Sequence, residues 1–229
     1  MRALAPGSHL LLVGDPDQLP SVGVGDVLSD LIKSAAFPVT RLERIYRQGP
    51  GSGIAANARR VNRGDLPRFG SEIKDCFFLP ADDAAAAAAT VVDMVVRRIP
   101  ARGRFTARDV QVLAPMHRGE AGVAALNQAL QEQLNPARTG LPEARAGGRV
   151  YRPGDRVLQL RNDYDLDMFN GDLGSIERVD TVEQELHLRL DDGREVRYPY
   201  SSPYSLSHAY ALSVHKARGL SSRWWFCQS

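Results

Sequence analysis

The chain has 229 residues, of which 43% are hydrophobic and 24% charged, a composition that fits a globular protein and excludes wholesale disorder. Its formal net charge of +2 excludes a polycation, so any nucleic-acid binding must come from local basic patches. Its two cysteines, Cys76 and Cys227, exclude a disulfide scaffold and fit the reducing cytoplasm. No apolar run reaches the roughly 18 residues of a membrane span, so we expect no membrane contact.

The first third of the chain is predicted to alternate short strands and helices. Leu10–Val13 is an apolar run that ends at Gly14 and Asp15, which is typical of a buried strand. A loop rich in Gly, Pro and Asp follows, from Asp15 to Gly25. The further elements predicted here are a helix at Val27–Ile32, a strand at Thr40–Ile45 and a helix at Ser52–Asn62.

The most strongly predicted helix covers Ala81–Ile99. Asp82 and Asp83 lie at its start, where carboxylates can cap free N–H groups and face the positive end of the helix dipole. A run of six alanines gives it high helix propensity, and Pro100 is expected to stop it.

A second buried strand is predicted at Val110–Ala114, followed by a helix from about Glu120 to Leu134. The helix is expected to place four apolar side chains on one face: Val123, Leu126, Leu130 and Leu134. Strands that alternate with helices in this way predict an α/β fold with a parallel sheet.

The pattern changes after Arg138–Gly148, which reads as a linker. Short β runs follow at Arg156–Leu160, Gly174–Val179, Leu186–Leu190 and Arg194–Tyr198. Asp191–Gly193 is a good hairpin turn between the last two, so we predict a small barrel. His208–His215 is then expected to return to the first sheet.

The segment Gly14–Val22 is the first candidate site, because it directly follows an apolar strand. Ligands of open α/β sheets bind at the carboxyl ends of the strands. The carboxylate of Asp15 and the carboxamide of Gln18 can position a water and contact a phosphate oxygen. An ordinary turn-rich loop explains the same residues.

Three basic segments are further candidates for phosphate contact. Arg44–Gln48 carries Arg47 and places an aromatic residue between two arginines, although a solvated basic face has the same pattern. His117 and Arg118 precede a helix, whose N-terminus presents free N–H groups to an anion; a plain helix-entry turn is the alternative. Ser213–Gly219 offers a hydroxyl, an imidazole and two cations in seven residues.

Two other chemistries are not supported by the sequence. The aspartates of Asn162–Asp165 and Asp172 do not have the spacing of a calcium loop, and Asn170-Gly171 is better explained as a tight turn. A serine hydrolase is disfavoured because the chain has no G-x-S-x-G elbow. We therefore predict no metal site formed by these residues.

In their order and spacing, five blocks of the chain resemble the RecD-like DNA helicases of superfamily 1B, the exodeoxyribonuclease V alpha-subunit type. The blocks are LLLVGDPDQLPSVGVGDVLSDL (motif III), RLERIYRQGPGSGIAANARRVNRGDLP (motif IV), DVQVLAPMHRGEAGVAALNQALQEQLNP (a strand–helix unit), GDRVLQLRNDYDLDMFNGDLGSIERVD (a β insertion) and LSHAYALSVHKARG (motif V). The resemblance extends over residues 8–219. It implies RecA-like parallel sheets of the P-loop NTPase type, incomplete here, with an SH3-like β-barrel insertion.

The resemblance also implies a 5′-to-3′ ATP-dependent helicase or translocase that acts in DNA recombination and repair, and it assigns roles to individual residues. Gln18 would sense the γ-phosphate of ATP beside Asp15, and Arg47 would reach that phosphate as an arginine finger. The nucleotide site, with ATP and Mg²⁺ as cofactors, would include Gly219. His117 and Arg118, with the helix terminus that follows, and Ser213, His215 and Lys216 would hold single-stranded DNA.

The chain departs from the family pattern in several places. It lacks the Walker A sequence GxxxxGK[ST], the acidic Walker B pair and motif VI, so we expect it not to hydrolyse ATP alone. Motif V continues as Ala217–Ser222 in place of a Gln-Gly-Ser-Glu-Phe-like run. The last residues, Arg223–Ser229, do not fit the family pattern. Plausible codons for them, read one nucleotide earlier, encode an apolar segment like the strand that the family has after motif V. We expect a truncated, frameshifted fragment.

The resemblance predicts five regions, which are a first-lobe remnant (1–40), a second RecA-like lobe (41–148), an SH3-like 2B domain (149–204), a return to the second lobe (205–219) and an aberrant tail (220–229). Three hypotheses follow: the motor part of a helicase, a non-catalytic module that binds single-stranded DNA, and an SH3-like fragment that docks a protein. The partners expected are single-stranded DNA and either the N-terminal half of the helicase or RecBC-like subunits.

Overall fold

The computed structural model describes residues 5, 7–18, 25–42, 49, 51–202, 205–217 and 224–227. The chain divides into two compact units, residues 1–79 and residues 80–229. In the described part of both, no helix combines the length and the apolar character needed to cross a membrane.

The first unit contains two helices, α1 (Val27–Lys33) and α2 (Gly53–Asn62), and both were predicted. Side-chain caps explain where they begin: Asp26 accepts a hydrogen bond from Ser29 N, and the Ser52 hydroxyl accepts one from Ala55 N. Ser52 Oγ also donates to Asp75 Oδ2 at 2.6 Å. This hydrogen bond lowers the pKa of Asp75 below its usual 3.8, although partial burial acts in the opposite direction.

The predicted strand at Leu10–Val13 is wrong, because these residues form no strand and are exposed, Leu11 by 84% and Val13 by 87%. A buried parallel strand needs neighbouring strands to bond its N–H and C=O groups, and the described residues supply none here. Thr40–Leu42 also forms no strand, and Glu43–Ile45 lies outside the described residues. An apolar run alone therefore does not specify a strand.

In the second unit, the predicted long helix changes its winding. Helix α3 (Ala84–Asp93) begins at Asp83, whose Oδ1 accepts a hydrogen bond from Ala86 N at 2.7 Å. It continues as a π-helix over Met94–Arg98 and a 3₁₀ turn over Pro100–Arg102, so Pro100 changes the winding but does not end the helical path. Its buried face contributes to the core of the parallel sheet through Val91, Val95 and Ile99.

A 3₁₀ turn (Ala107–Asp109) and helix α4 (Val123–Leu134) complete the helices of this unit. Ten strands are described: β1 (Val110–Ala114), β2 (Ala144–Ala146), β3 (Arg149–Tyr151), β4 (Arg156–Gln159), β5 (Leu173–Asp180), β6 (Glu185–Leu190), β7 (Glu195–Pro199), β8 (Leu206–His208), β9 (Ala211–Ser213) and β10 (Trp224–Cys227).

Strands β10, β1 and β9 form a parallel sheet in that order, which confirms the predicted α/β layer and the return of the chain near residue 211. Helix α4 packs on it with Leu126 and Leu130 fully buried, as predicted, but begins three residues later than Glu120. Strand β10 occupies the position at which the family resemblance places an apolar strand after motif V. The sequence did not predict that these residues pair there.

The remaining strands build the SH3-like region. A five-stranded antiparallel sheet has the order β7-β6-β5-β4-β8, and β2 pairs with β3 in a separate hairpin. The four predicted strands are confirmed with small shifts of their ends, as is the turn at Asp191–Gly193, where Gly193 has φ +93°. Strands β2, β3 and β8 were missed. The sheet encloses its own core, but no pairing of its edge strands β7 and β8 is present among the described residues.

A buried polar network joins the SH3-like region to helix α4, with the carboxylate of Asp155 at its centre. The Asp155 side chain is 0% exposed. It accepts hydrogen bonds from the Nε2 of Gln131 (2.6 Å) and the Nδ2 of Asn135 (2.7 Å), at the C-terminal end of α4. The backbone N–H of Arg152 and the hydroxyl of Tyr210 also donate to it, each at 2.8 Å. Every lone-pair direction of this carboxylate is thus used within the protein.

The same network sets the ionisation of its members. Burial raises the pKa of Asp155, but hydrogen bonds from His208, Asn135 and the Arg152 backbone outweigh burial and leave the pKa below its usual 3.8. The imidazole Nε2 of His208 lies 3.4 Å from the Asp155 carboxylate. Burial raises the pKa of Tyr210, and the neighbouring Asp155 carboxylate adds to this effect. Asp155 therefore stays ionised while Tyr210 stays a hydrogen-bond donor.

Candidate nucleic-acid interface

The interface is built at the carboxyl edge of the parallel sheet. Strands β1 and β9 lie side by side in parallel, with Ala114 opposite Ser213 at their ends. The loop at residues 115–122 leaves the end of β1, and the segment at residues 214–217 leaves the end of β9. Ligands of such sheets bind at this edge, because side chains from neighbouring loops converge there. The structure thus places two of the predicted basic segments on one edge.

Helix α4 begins inside a tight loop that uses its own backbone donors. The N–H groups of Val123 and Ala124 donate to the carbonyls of Met116 (3.0 Å) and His117 (3.3 Å). A Cβ at Gly122 would lie 2.5 Å from the Arg118 carbonyl oxygen, so only glycine fits this loop.

These bonds correct one detail of the prediction for the β1–α4 loop. The first two N–H groups of α4 are satisfied internally and are not free to meet a phosphate. The side chains of His117 and Arg118 are both exposed. They are the groups of this loop that can meet an anion.

The residues of the segment after β9 have two different roles: one shapes the turn, and others face solvent. Ser213 is 4% exposed, and its Oγ and carbonyl accept hydrogen bonds from the N–H groups of Lys216 (3.3 Å) and Ala217 (3.1 Å). Its hydroxyl therefore shapes the turn. His215 is exposed and Lys216 is half-buried, so the cationic face of this segment comes from these two side chains.

Lys216 connects this edge to the SH3-like region. Its Nζ donates to Asn170 Oδ1 at 2.7 Å and lies 3.5 Å from the Leu160 carbonyl oxygen. Asn170 belongs to the loop at residues 160–172 between β4 and β5. The sequence predicted a turn at Asn170-Gly171 but no site there. The contact is formed between residues 46 positions apart, so no local pattern could have found it.

The nucleotide residues predicted in the first unit are placed only in part. Asp15 and Gln18 are exposed neighbours: Gln18 Nε2 donates to Asp15 Oδ2, and Asp17 N donates to Asp15 Oδ1, both at 3.0 Å. Arg47 and Gly219 lie outside the described residues. The structure therefore brings Asp15 and Gln18 together, but it does not test the arginine-finger role.

The described residues do not by themselves fit a nucleotide with its metal ion. Asp15 and Gln18 are bonded to each other in an exposed turn. No cluster of three or more His, Cys, Asp or Glu side chains that could hold a metal ion is found in the described ranges. Accordingly we derive no chemical step through ATP or Mg²⁺ from this geometry.

Comparisons with known families match two parts of the chain. The SH3 domain of ATP-dependent RecD-like DNA helicases matches residues 126–189, and an AAA domain matches residues 1–75. The first match begins inside α4 and ends inside β6, so it includes Asp155 and the strands from β2 to β5.

Individual relatives extend over nearly the whole chain. The ATP-dependent RecD2 DNA helicase of Deinococcus radiodurans is 35% identical over 98% of this chain and 29% of its own length. The RecBCD enzyme subunit RecD of Mycolicibacterium smegmatis is 29% identical over 96% of this chain and 40% of its own length. The chain thus spans between 29% and 40% of the length of these two relatives.

A solved structure, a Pif1 helicase from Bacteroides in complex with ADP-AlF3 and single-stranded DNA, has the same fold. It superposes with a TM-score of 0.52 and 17% identity over 93% of this chain and 54% of that one. With the five motif blocks, the SH3-domain match and the parallel sheet with its antiparallel insertion, the comparisons lead to one conclusion. This chain is RecD-like: nearly its whole length is similar to RecD-like DNA helicases.

Proposed function

We propose that this chain is a strand-binding part of an ATP-dependent 5′-to-3′ DNA helicase of the RecD type. In this proposal, His117 and Arg118 from one loop and His215 and Lys216 from the other contact the phosphates of single-stranded DNA. The single observation that carries the proposal is the parallel register of β1 and β9, which places both basic loops on one edge. Side chains of this kind position a nucleic acid through its backbone without reading its sequence.

Binding and hydrolysis of ATP belong to the same proposal. Asp15 and Gln18 would contact the γ-phosphate, with Arg47 as the arginine finger and Gly219 as a further residue that binds the nucleotide. The support is the AAA-domain match over residues 1–75 and the ADP-AlF3 bound to the Pif1 relative of like fold. In this proposal the phosphate-cradling loop and the ligands of Mg²⁺ would come from a further part of the helicase or from RecBC-like subunits. One relative is named as a subunit of a RecBCD enzyme.

Salt-dependent binding of labelled oligodeoxythymidine to the purified chain, followed by fluorescence anisotropy, tests the proposal. Each phosphate contact contributes about 0.7 to the slope of log K against log salt for single strands. Lys216→Ala should therefore weaken binding and reduce the slope by about 0.7, because one cation leaves the interface.

Lys74→Ala is the matched control for Lys216→Ala. It removes an exposed lysine of the first unit that takes no part in the proposed contacts, and it should leave both affinity and slope unchanged. Binding that is insensitive to salt, or equal losses in the two variants, would contradict the proposal.

A further inference from the structure

An exposed aromatic pair lies on the loop that receives Lys216. Tyr164 is 78% exposed and Phe169 is 41% exposed. Their rings meet edge to face, with centroids 6.2 Å apart and an interplanar angle of 78°. Large aromatic rings with this much free surface are costly in water, and they are a common device for binding planar ligands.

The loop that carries these rings is held in one conformation. Asp163 and Met168 exchange two backbone hydrogen bonds of 2.7 and 2.9 Å, and the Met168 side chain is fully buried in the SH3-like core. Asn170 N donates to Asn162 Oδ1, and Phe169 N donates to Asp172 Oδ2, both at 2.9 Å. Little conformational entropy remains to be lost when a ligand meets the rings.

Arg194, from the hairpin after β6, supports the loop from the side of Phe169. Its guanidinium carbon lies 6.0 Å from the centre of the Phe169 ring. It donates to the carboxylates of Asp172 at 2.9 Å and Asp192 at 2.7 Å, and to the Asp167 carbonyl. One cation thus fixes the ring and offsets part of the acidic charge of the loop.

The charges around the rings favour one orientation of a bound nucleotide, with its phosphate away from the rings and its base toward them. The loop carries Asp163, Asp165, Asp167 and Asp172, so phosphate is repelled from its surface. Lys216 is bonded to Asn170, the residue after Phe169, and it provides positive charge beside the loop. A strand that crosses this edge would keep its phosphates near Lys216 and turn its bases toward the rings.

We propose that Tyr164 and Phe169 form a stacking site for a base of single-stranded DNA, with the adjoining phosphate held by Lys216. This inference rests on the proposed function and specifies how one nucleotide is bound. Stacking on aromatic side chains tolerates every base, because each base has a π-face, and this suits an enzyme that moves along any sequence.

Truncation of the more exposed ring tests the stacking site. Tyr164→Ala should weaken oligodeoxythymidine binding by roughly 5- to 150-fold, the range expected for one stacked base, and Tyr164→Phe should restore it. The slope of affinity against salt should not change, because no cation is lost. Val182→Ala, which removes a side chain that is 86% exposed at another turn of the SH3-like region, is the matched control and should bind normally.

An oligonucleotide with one abasic position, moved along the strand, provides the second measurement. The wild-type chain should lose affinity when the abasic position reaches the stacking site, and Tyr164→Ala should not lose it again. Equal affinity of wild type and Tyr164→Ala, with normal salt dependence, would overturn the stacking site and leave the proposed function intact. If the wild-type chain binds no single strand at all, both proposals fail.

Discussion

Among the described residues, two polar junctions between the lobe with the parallel sheet and the SH3-like region differ in their chemistry. At the C-terminal end of α4, Asp155 is 0% exposed and has four hydrogen-bond donors at 2.6–2.8 Å. At the carboxyl edge of the sheet, Lys216 is only half-buried and has one close partner, the side-chain oxygen of Asn170. At the first junction every acceptor position of the carboxylate is used and the group is buried, whereas the second junction is accessible to water.

This difference indicates a structural role for the junction at Asp155 and a ligand-binding role for the junction at Lys216. A buried carboxylate with all its acceptor positions used cannot take a ligand, and removal of one member leaves others unpaired at high cost. A half-buried lysine with a neutral amide partner exchanges that contact for water or phosphate at little cost. We therefore expect substitutions at Asp155 to change stability and substitutions around Lys216 to change DNA binding.

Asp155→Ala should have the largest effect on stability. It removes the acceptor that Gln131, Asn135 and Tyr210 share, so that each loses one buried hydrogen bond, which should cost about 3–5 kcal/mol of unfolding free energy. Urea denaturation followed by circular dichroism measures this loss. Asp165→Ala, on an exposed loop of the same region, should stay within about 0.5 kcal/mol. Equal losses of unfolding free energy in the two variants would mean that the buried network stabilises the protein no more than an exposed carboxylate does.

Acid should weaken the same junction to a smaller extent, because it removes the charge and keeps the side chain. The folded pKa of Asp155 lies below the unfolded value near 3.8, so its stabilisation is complete above that value and disappears as the pH falls through the folded pKa. Unfolding free energies measured between pH 6 and about pH 3 should show this decline. The decline should be shallower in Asp155→Asn. If wild type and Asp155→Asn show the same pH dependence, other carboxylates cause the decline.

Asn170→Ala should have the smallest effect on stability, within about 0.5 kcal/mol, because its side chain is exposed. The slope of DNA affinity against salt should also stay the same, since Lys216 keeps its charge. Thermal melting and the anisotropy titration measure the two quantities. A loss of stability as large as that of Asp155→Ala would show that the Lys216–Asn170 contact is a structural junction like the buried one.

Local patterns were sufficient for the elements that carry their own start and stop signals. Helices α1 and α2 begin at Asp26 and Ser52, whose side chains cap free N–H groups only a few residues ahead. The hairpin between β6 and β7 turns at Gly193, where a positive φ is required. Each of these features depends on residues close together in the chain, and so each could be predicted from the sequence.

Features that depend on distant partners were missed or predicted wrongly. Leu10–Val13 has the composition of a buried strand, but the described residues give it no neighbour to pair with. Strand β8 exists because it pairs with β4, about 50 residues earlier, and the Arg138–Gly148 linker contains β2 because β3 folds back on it. No local pattern singles out Asp155, since its partners come from α4 and from Tyr210.

For function, the sequence by itself determined the likeness to RecD-like helicases and which residues carry positive charge, because motif order and side-chain chemistry do not depend on how the chain folds. Only the tertiary structure decided that the loops with His117 and Lys216 share one edge, that Lys216 meets Asn170, and that Tyr164 and Phe169 stand exposed beside them. The reason is physical. A binding surface is made by groups within a few ångströms of one another, and residues dozens of positions apart reach that distance only when strands pair and helices pack.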